Sequence, residues 1–237
     1  MSNAMTDPIA PSADASPAPE PPALPAEVTA NELASHLAAR LCHDFISPAG
    51  AIVSGLDLLE DPSAQDMREE AMGMIAASAN KLVALIKYDR IAFGGSAAAE
   101  VFDTRELLAL SQGVFADMRA KLDWQVTQPG LDKPPARALL NLCQIGAGAL
   151  PAGGMVRAEA VESDSEITIV IEASGRARLR QEVIDGLEGR RLSEGRTGHW
   201  VQAYYLRKLI DDAGGVLETQ SEEALVTLRA RFPKLLG

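Results

Sequence analysis

LAARLCHDFISPAGAIVSGLDLL, residues 37–59, carries the pattern around which the rest of the chain is organised. Its apolar residues recur at steps of three, four and seven, which predicts a long amphipathic α-helix that begins upstream of Leu37. His43 comes two residues after Leu41, at the flank of the apolar stripe. An imidazole at that position is supported by the helix and remains open to a partner.

The residues that follow His43 suggest what it is for. Asp44, Ser47 and Pro48 complete the order histidine, acid, apolar, any residue, small hydroxyl, proline. Pro48 has no N–H to donate to the carbonyl of Asp44, so we expect the helix to bend there and to leave a backbone acceptor free beside the histidine. A lone helical histidine is usually a surface or core residue, but this combination predicts a site that accepts a phosphoryl group.

Composition excludes several classes of protein. The 237 residues carry a net charge of -11, which argues against nucleic acid or an anionic membrane surface as the main partner. No run of apolar residues is long enough to cross a bilayer, so we expect no membrane span. Cys42 and Cys143 are isolated, without a C-x-x-C motif, which fits a reducing cytoplasm.

The N-terminal third divides into a tail and a helical hairpin. Residues 1–28 consist of an expression-tag remnant (residues 1–4) and a tail rich in Pro and Ala, predicted to be disordered or, alternatively, to dock a partner. Residues 29–95 form the hairpin, with a first helix capped by Asn31 and ending near Leu59, a break at Asp61-Pro62, and a second helix over 63–93.

The two helices must pack antiparallel because the loop between them is short. Their apolar stripes are wider than one partner helix can cover, so we predict a homodimer in which two hairpins form a four-helix bundle. The alternative is that the C-terminal region of the same chain covers the hairpin.

A linker is predicted at 94–99, where the second region, residues 96–237, begins. In this region the sequence pattern changes from long helices to a mixed α/β succession. Asp103 and Glu106 form a predicted capping box. The fold class is therefore α followed by α/β, with a helical hairpin and then an α/β sandwich. The predicted elements are a helix over 103–122, a strand over 124–127, a helix over 134–150, a hairpin of strands over 155–161 and 167–172, a helix over 199–213, and strands over 216–220 and 225–231.

The string around His43 resembles the H-box of sensor histidine kinases, and residues 37–59 resemble the ChpT-type histidine phosphotransferases of alphaproteobacteria. The resemblance extends from about residue 33 to near the C-terminus. It implies partners: the receiver domain of a hybrid histidine kinase as donor, and cell-cycle response regulators of the CtrA and CpdR types as acceptors. It also implies no cofactor or metal on this chain, since the receiver brings Mg²⁺ beside its own aspartate.

The C-terminal region resembles the ATP-binding domain of histidine kinases, but three of its boxes are degenerate. Ile145 stands where that family has a magnesium-binding Asn, and an isoleucine side chain has no oxygen for a hard cation. Ala173 replaces the carboxylate that reads adenine. Trp200 and Gln202 replace glycines whose backbone approaches the phosphates. We therefore predict a protein phosphotransferase that does not use ATP.

In the favoured mechanism, an unprotonated ring nitrogen of His43 attacks a receiver phosphoaspartate. Asp44 accepts a hydrogen bond from the other nitrogen and fixes the tautomer, or is simply an exposed helix carboxylate. Arg40, Ser47 and Pro48 lie within about a turn and are predicted receiver contacts, with solvated helix positions as the alternative for Arg40 and Ser47. His36 lacks the following acid and proline and is predicted to be a surface residue.

Two other functions stay open from the sequence. An active soluble histidine kinase would label itself from Mg-ATP without any receiver. A non-catalytic dimeric scaffold would carry His43 only incidentally, and its labelling by a phosphorylated receiver would not change in His43→Ala.

Overall fold

A computed structural model describes residues 27–94, 100–193 and 195–234. The predicted tail up to residue 26 and most of the predicted linker lie outside these ranges. Helix α1 spans Ala30–Glu60, a short 3₁₀ helix spans Pro62–Met67, and α2 spans Arg68–Ala92. The N-cap of α1 is Thr29, not Asn31, because Thr29 and Glu32 form a reciprocal capping box.

The turn between α1 and α2 is fixed by local hydrogen bonds. Asp61 Oδ1 accepts from the backbone N–H of Ser63 at 2.8 Å and from its hydroxyl at 2.7 Å. Gly55 lets the helices approach closely, since a Cβ there would lie 2.6 Å from Ile75 Cγ1. Pro48 lies buried inside α1 without ending the helix, and the bend expected there stays a prediction.

The remaining elements form a sheet with helices packed against one face. The five-stranded sheet has the order β2-β4-β5-β7-β6, with β2 parallel to β4 and the other pairs antiparallel; β1 and β3 pair separately. The bounds are β1 Val101–Asp103, α3 Thr104–Phe115, β2 Ala120–Trp124, β3 Gly130–Asp132, α4 Lys133–Gly148, β4 Gly154–Glu162, β5 Glu166–Gly175, α5 Gln181–Leu187, α6 Thr197–Asp212, β6 Val216–Glu222 and β7 Leu225–Pro233.

The predicted fold class is confirmed, with corrections at several boundaries. The helix expected to reach residue 122 ends at Phe115, and Ala120–Trp124 is a strand because it pairs with β4, a non-local contact that overrides helical propensity. The second helix begins at Arg68 after the 3₁₀ turn. Two three-residue strands, β1 and β3, and the short helix α5 were missed because so few residues show no periodicity.

The hairpin and the sheet region share a core at the end of α2. Tyr88 is fully buried there and its hydroxyl donates to the carbonyl of Leu140 at 2.6 Å. Asn141 Nδ2 donates to the carbonyl of Ala92 at 3.0 Å. These contacts hold the C-terminal end of α2 against α4, so the hairpin is fixed in orientation relative to the sheet.

A second contact joins the first half of α1 to α6. Trp200 is 3% exposed, packs with Leu33 and Leu37, and donates from Nε1 to the carbonyl of Arg190 at 2.9 Å. Trp200 is therefore a core anchor. His36, predicted to be a surface residue, is half-buried, and its ring lies edge-on to Trp200 with the centroids 5.6 Å apart.

None of the helices in the described ranges has the length and hydropathy that a membrane span requires.

Candidate functional site

A cleft of about 490 Å³ opens between the helical hairpin and the sheet region. The predicted site residues of α1, which are Arg40, His43, Asp44, Ser47 and Pro48, all line it. The opposite wall comes from residues around β2, α4 and the start of α6. The start of α1 and the end of α2, which lie together at the open end of the hairpin, pack against the sheet region, and the cleft opens beside the middle of α1.

His43 presents its ring to solvent, with 86% of the side chain exposed. Its Nδ1 lies 3.3 Å from Oδ1 of Asp44, so the predicted contact between these neighbours is present. With the proton on Nδ1 donated to Asp44, Nε2 carries a free lone pair. The imidazole is thus oriented on one side and open on the other.

The three predicted partner contacts differ in exposure. Ser47 is exposed one turn beyond His43 and is free to meet a partner. Pro48 is buried, and only the cleft side of the helix gives access to it. Arg40 is 12% exposed and donates from Nη1 to the carbonyl of Gly198 at 2.6 Å, so most of its side chain is directed to α6 and away from any partner.

Positive charge lines the cleft, although the whole chain carries -11. Arg40, Lys81, Arg119 and Arg180 all contribute, while Asp44 is the one carboxylate among the lining residues that the structure describes. Each of the last three cations has a partner: Lys81 pairs with Asp117 at 3.7 Å, and Arg119 Nη1 donates to the carbonyl of Pro151 at 3.2 Å.

The third of these cations, Arg180, lies beside His199 at the start of α6. Its Nη1 is 2.8 Å from Nε2 of His199. Burial lowers the pKa of His199, and the Arg180 charge lowers it further, so this imidazole is neutral and accepts the hydrogen bond. This lining could not be predicted, because Lys81, Arg119, Arg180 and His199 come from four separate segments with no shared spacing.

Comparison with known proteins identifies the family. A model of the histidine phosphotransferase C-terminal domain matches residues 104–225. The chain is 35% identical over 193 residues to the protein phosphotransferase ChpT of Brucella abortus (strain 2308), covering 81% of this chain and 91% of that protein. The chain belongs to the ChpT-type histidine phosphotransferase family. The solved structure of a bacterial phosphotransferase is also similar, with a TM-score of 0.77, 32% identity, and coverage of 88% of this chain and 100% of that one.

The resemblance predicted from the sequence is thereby confirmed, and the chain is a ChpT-like protein phosphotransferase. In this phosphotransferase, the side chains of the degenerate boxes are buried among their neighbours. Gln202 is 4% exposed and its Nε2 donates to Gln144 Oε1 at 2.6 Å and to Asn141 Oδ1 at 3.2 Å. Ile145 and Ala173 are both buried.

A cavity of about 30 Å³ opens beside Ile145, with Gln202 forming part of its wall. That volume is about the share of one water molecule in the liquid, whereas pockets for small ligands and cofactors occupy roughly 300–1,000 Å³. Within the described ranges, no three acidic, histidine or cysteine side chains come together as a metal site.

Proposed function

We propose that this ChpT-type phosphotransferase carries its phosphoryl group on His43, taking it from a phosphoaspartate of a receiver domain and passing it to a second receiver. The observation that carries the proposal is the exposed imidazole at the mouth of the cleft, with Nδ1 on Asp44 and Nε2 open. A phosphoryl acceptor must be accessible to the active site of another protein, and a buried imidazole ring would not be.

The reaction needs only an exchange of bonds at phosphorus. The Nε2 lone pair attacks the phosphorus of the acyl phosphate in line, the N–P bond forms, and the P–O bond to the receiver aspartate breaks with its electrons leaving on the carboxylate. Nδ1 keeps its proton, and Asp44 offsets the positive charge that develops on the ring. The carboxylate of the second receiver reverses these steps.

Mg²⁺ is expected on the receiver, where it neutralises charge on the phosphoryl oxygens. This chain would supply positioning and its own positive charge. Lys81, Arg119 and Arg180 face the side from which a phosphoryl group reaches His43. Long-range attraction of this kind raises the rate of encounter with an acidic receiver surface, and it matters more in a chain whose total charge is negative.

The donor is proposed to be the receiver of a hybrid histidine kinase, and the acceptors to be response regulators of the CtrA and CpdR types that control the cell cycle. We place this exchange in the cytoplasm. ATP is not proposed as a donor, and the cavity of about 30 Å³ lined by Gln202, Gln144 and Ile145 supports this, since cofactor pockets occupy roughly 300–1,000 Å³.

We also propose a homodimer, supported by an apolar seam along the hairpin. Exposed apolar residues alternate in steps of four and three on both helices, which is the spacing of a coiled-coil face. Ile46 is 70% exposed, Val53 56% and Met72 53%, which is unusual for such side chains. The seam consists of Cys42, Ile46, Ala49, Val53 and Leu56 on α1, and Met72, Ala76, Ala79, Val83 and Ile86 on α2.

Light scattering tests the dimer. The wild type should have about twice the chain mass of 25.1 kDa. Val53→Asp places a charge in the seam and should give monomers, whereas Ser54→Asp, exposed on the next position of the same helix, should not. A wild type at the single-chain mass would end this part of the proposal.

The phosphotransfer role is tested by incubation with a CtrA-type receiver labelled on its aspartate with radioactive phosphate and freed of ATP. The wild type should acquire acid-labile, base-stable label, and His43→Ala should acquire none. His36→Gln is the matched control, since His36 lies two turns earlier on α1 and packs against Trp200. Equal labelling of wild type and His43→Ala would remove His43 from this role.

A further inference from the structure

Arg40 connects the proposed phosphate acceptor to the sheet region. The side chain lies on α1 one turn before Asp44 and is 12% exposed. Its Nη1 donates to the carbonyl of Gly198 in the first turn of α6 at 2.6 Å, and its guanidinium lies over the ring of Phe93, 5.9 Å from the centroid. Two contacts outside α1 therefore fix where this charge sits.

The same guanidinium faces Asp44. Arg40 Nε lies 3.5 Å from Oδ2 of Asp44. This buried N–H has no hydrogen-bond partner among the described residues, so the ion pair with Asp44 is its polar contact. The other carboxylate oxygen, Oδ1, lies 3.3 Å from Nδ1 of His43. Asp44 is thus held between a fixed cation and the imidazole, with a different oxygen directed to each.

We propose that Arg40 is a positioning residue that orients Asp44, so that the sheet region sets the tautomer of His43 through Gly198, Arg40 and Asp44. Successive residues on a helix do not normally face each other, so the contact between Asp44 and His43 depends on one rotamer of the carboxylate. Arg40 favours that rotamer by attracting Oδ2, which leaves Oδ1 for the ring.

The consequence for chemistry rests on the proposed function. A hydrogen bond from Nδ1–H to Asp44 keeps Nε2 unprotonated and nucleophilic. Without the guanidinium, Asp44 is free to turn to solvent, and an exposed ring then distributes its proton between both nitrogens. The degenerate ATPase-like region would in this way still serve phosphoryl transfer, as a brace for the acceptor.

Nitrogen NMR of the His43 ring tests this directly, because the chemical shifts of Nδ1 and Nε2 report the tautomer. In the wild type we expect Nε2 as the unprotonated nitrogen. Arg40→Met keeps the apolar stem but removes the charge, and should shift both signals toward an averaged tautomer, as should Asp44→Asn. Lys81→Met is the matched control, since it removes a cleft cation that pairs with Asp117 and not with Asp44.

Arg40→Lys is the second variant, in case Arg40→Met does not fold. Lysine keeps the charge but lacks the planar fork that reaches Gly198 and Asp44 together, so it should restore the tautomer only in part. Phosphoryl transfer should fall by about 10-fold in Arg40→Met, the lower end of what orienting partners of functional histidines contribute.

Unchanged ring shifts in every folded Arg40 variant would overturn the proposal. The same shift in Lys81→Met as in Arg40→Met would also overturn it, since a general field effect would then suffice. If the wild type accepted no phosphoryl group at all, the proposed function would fail, but the tautomer measurement would still decide whether Arg40 orients Asp44.

Discussion

Two neighbouring cavities of this phosphotransferase differ in what they are able to do. The cleft beside His43 measures about 490 Å³, whereas the cavity at the degenerate boxes measures about 30 Å³. They share the lining residues Gln144, Gly148, Arg180, His199 and Gln202. The side chains that close the smaller cavity are thus part of the wall of the larger one.

This comparison distinguishes the residues that stabilise the fold from the residue that is proposed to carry the phosphoryl group. At the degenerate boxes, Gln202 and Trp200 are buried and hydrogen-bonded, so they contribute to folding. His43 is exposed and makes one long contact at 3.3 Å, so the fold does not depend on it. The residues of the degenerate boxes therefore contribute packing, whereas the exposed imidazole of His43 is left accessible to a partner.

The largest expected effect is on stability. Trp200→Ala removes a 3%-exposed indole from the contact between α1 and α6 and should lower the free energy of unfolding by about 3–5 kcal/mol. His43→Ala changes an 86%-exposed side chain and should stay within about 0.5 kcal/mol of the wild type. Urea denaturation followed by circular dichroism measures both. If His43→Ala lowered the free energy of unfolding as much as Trp200→Ala, the distinction between stabilising residues and the exposed acceptor would be contradicted.

The next effect depends on pH and concerns Asp89, which lies behind the cleft on α2. Burial raises the pKa of this carboxyl to about 7 from 3.8, against the opposing charge of Arg40. The folded protein therefore holds the proton more tightly than the unfolded chain, so the contribution of this proton to stability is complete below about pH 4 and is lost as pH rises to about 7. At ~1.4 kcal/mol per pKa unit, the loss is at most about 4 kcal/mol.

Asp89→Asn should remove this loss. The variant should melt at a higher temperature than the wild type at pH 8, and this difference should become smaller at pH 5 and smaller still at pH 4, as measured by calorimetry. Asp57→Asn, on the exposed side of α1, is the control; it retains Asp89 and should melt like the wild type at each pH. A wild type whose stability rises steadily from pH 5 to 8 relative to Asp89→Asn would show that Asp89 ionises without cost.

The sequence predicted the parts of this comparison that are local. The hairpin, the break at Asp61 and the contact between His43 and Asp44 follow from residues that lie close together in the sequence. The degenerate boxes could be recognised in the sequence because the side chains of Ile145 and Ala173 lack the oxygen atoms that magnesium binding and adenine recognition need.

What could not be predicted comes from contacts between distant segments. The strand at Ala120–Trp124 exists because β4 lies beside it, and the Arg40 contact with Gly198 spans 158 positions. Neither leaves a periodic signal in the residues around it. The same holds for the cations of the cleft wall, since Lys81 lies on α2, Arg119 just before β2 and Arg180 just before α5.

A smaller effect is expected on the rate of encounter with a receiver. Lys81→Glu reverses a charge in the cleft wall and should slow association by about 10-fold at low salt, because such charges act mainly on the rate of encounter. The difference should shrink as salt screens it. Lys87→Glu, on α2 outside the cleft, is the matched control. Stopped-flow transfer from a labelled receiver measures the rates, and equal slowing by both variants would mean that the cleft has no special part in docking.

The smallest effect is expected from nucleotide. Mg-ATP should give no saturable heat with the wild type in titration calorimetry, because Gln202 and Gln144 fill the space with a hydrogen bond of 2.6 Å. Ile145→Asn restores the oxygen ligand that the kinase pattern requires, yet it should bind no better, since the cavity stays near 30 Å³ and the adenine-reading carboxylate at Ala173 is still missing. Saturable binding to the wild type would mean that these side chains move aside together. The small cavity would then be a closed form of a nucleotide site, and the contrast with the cleft would be one of conformation and not of packing.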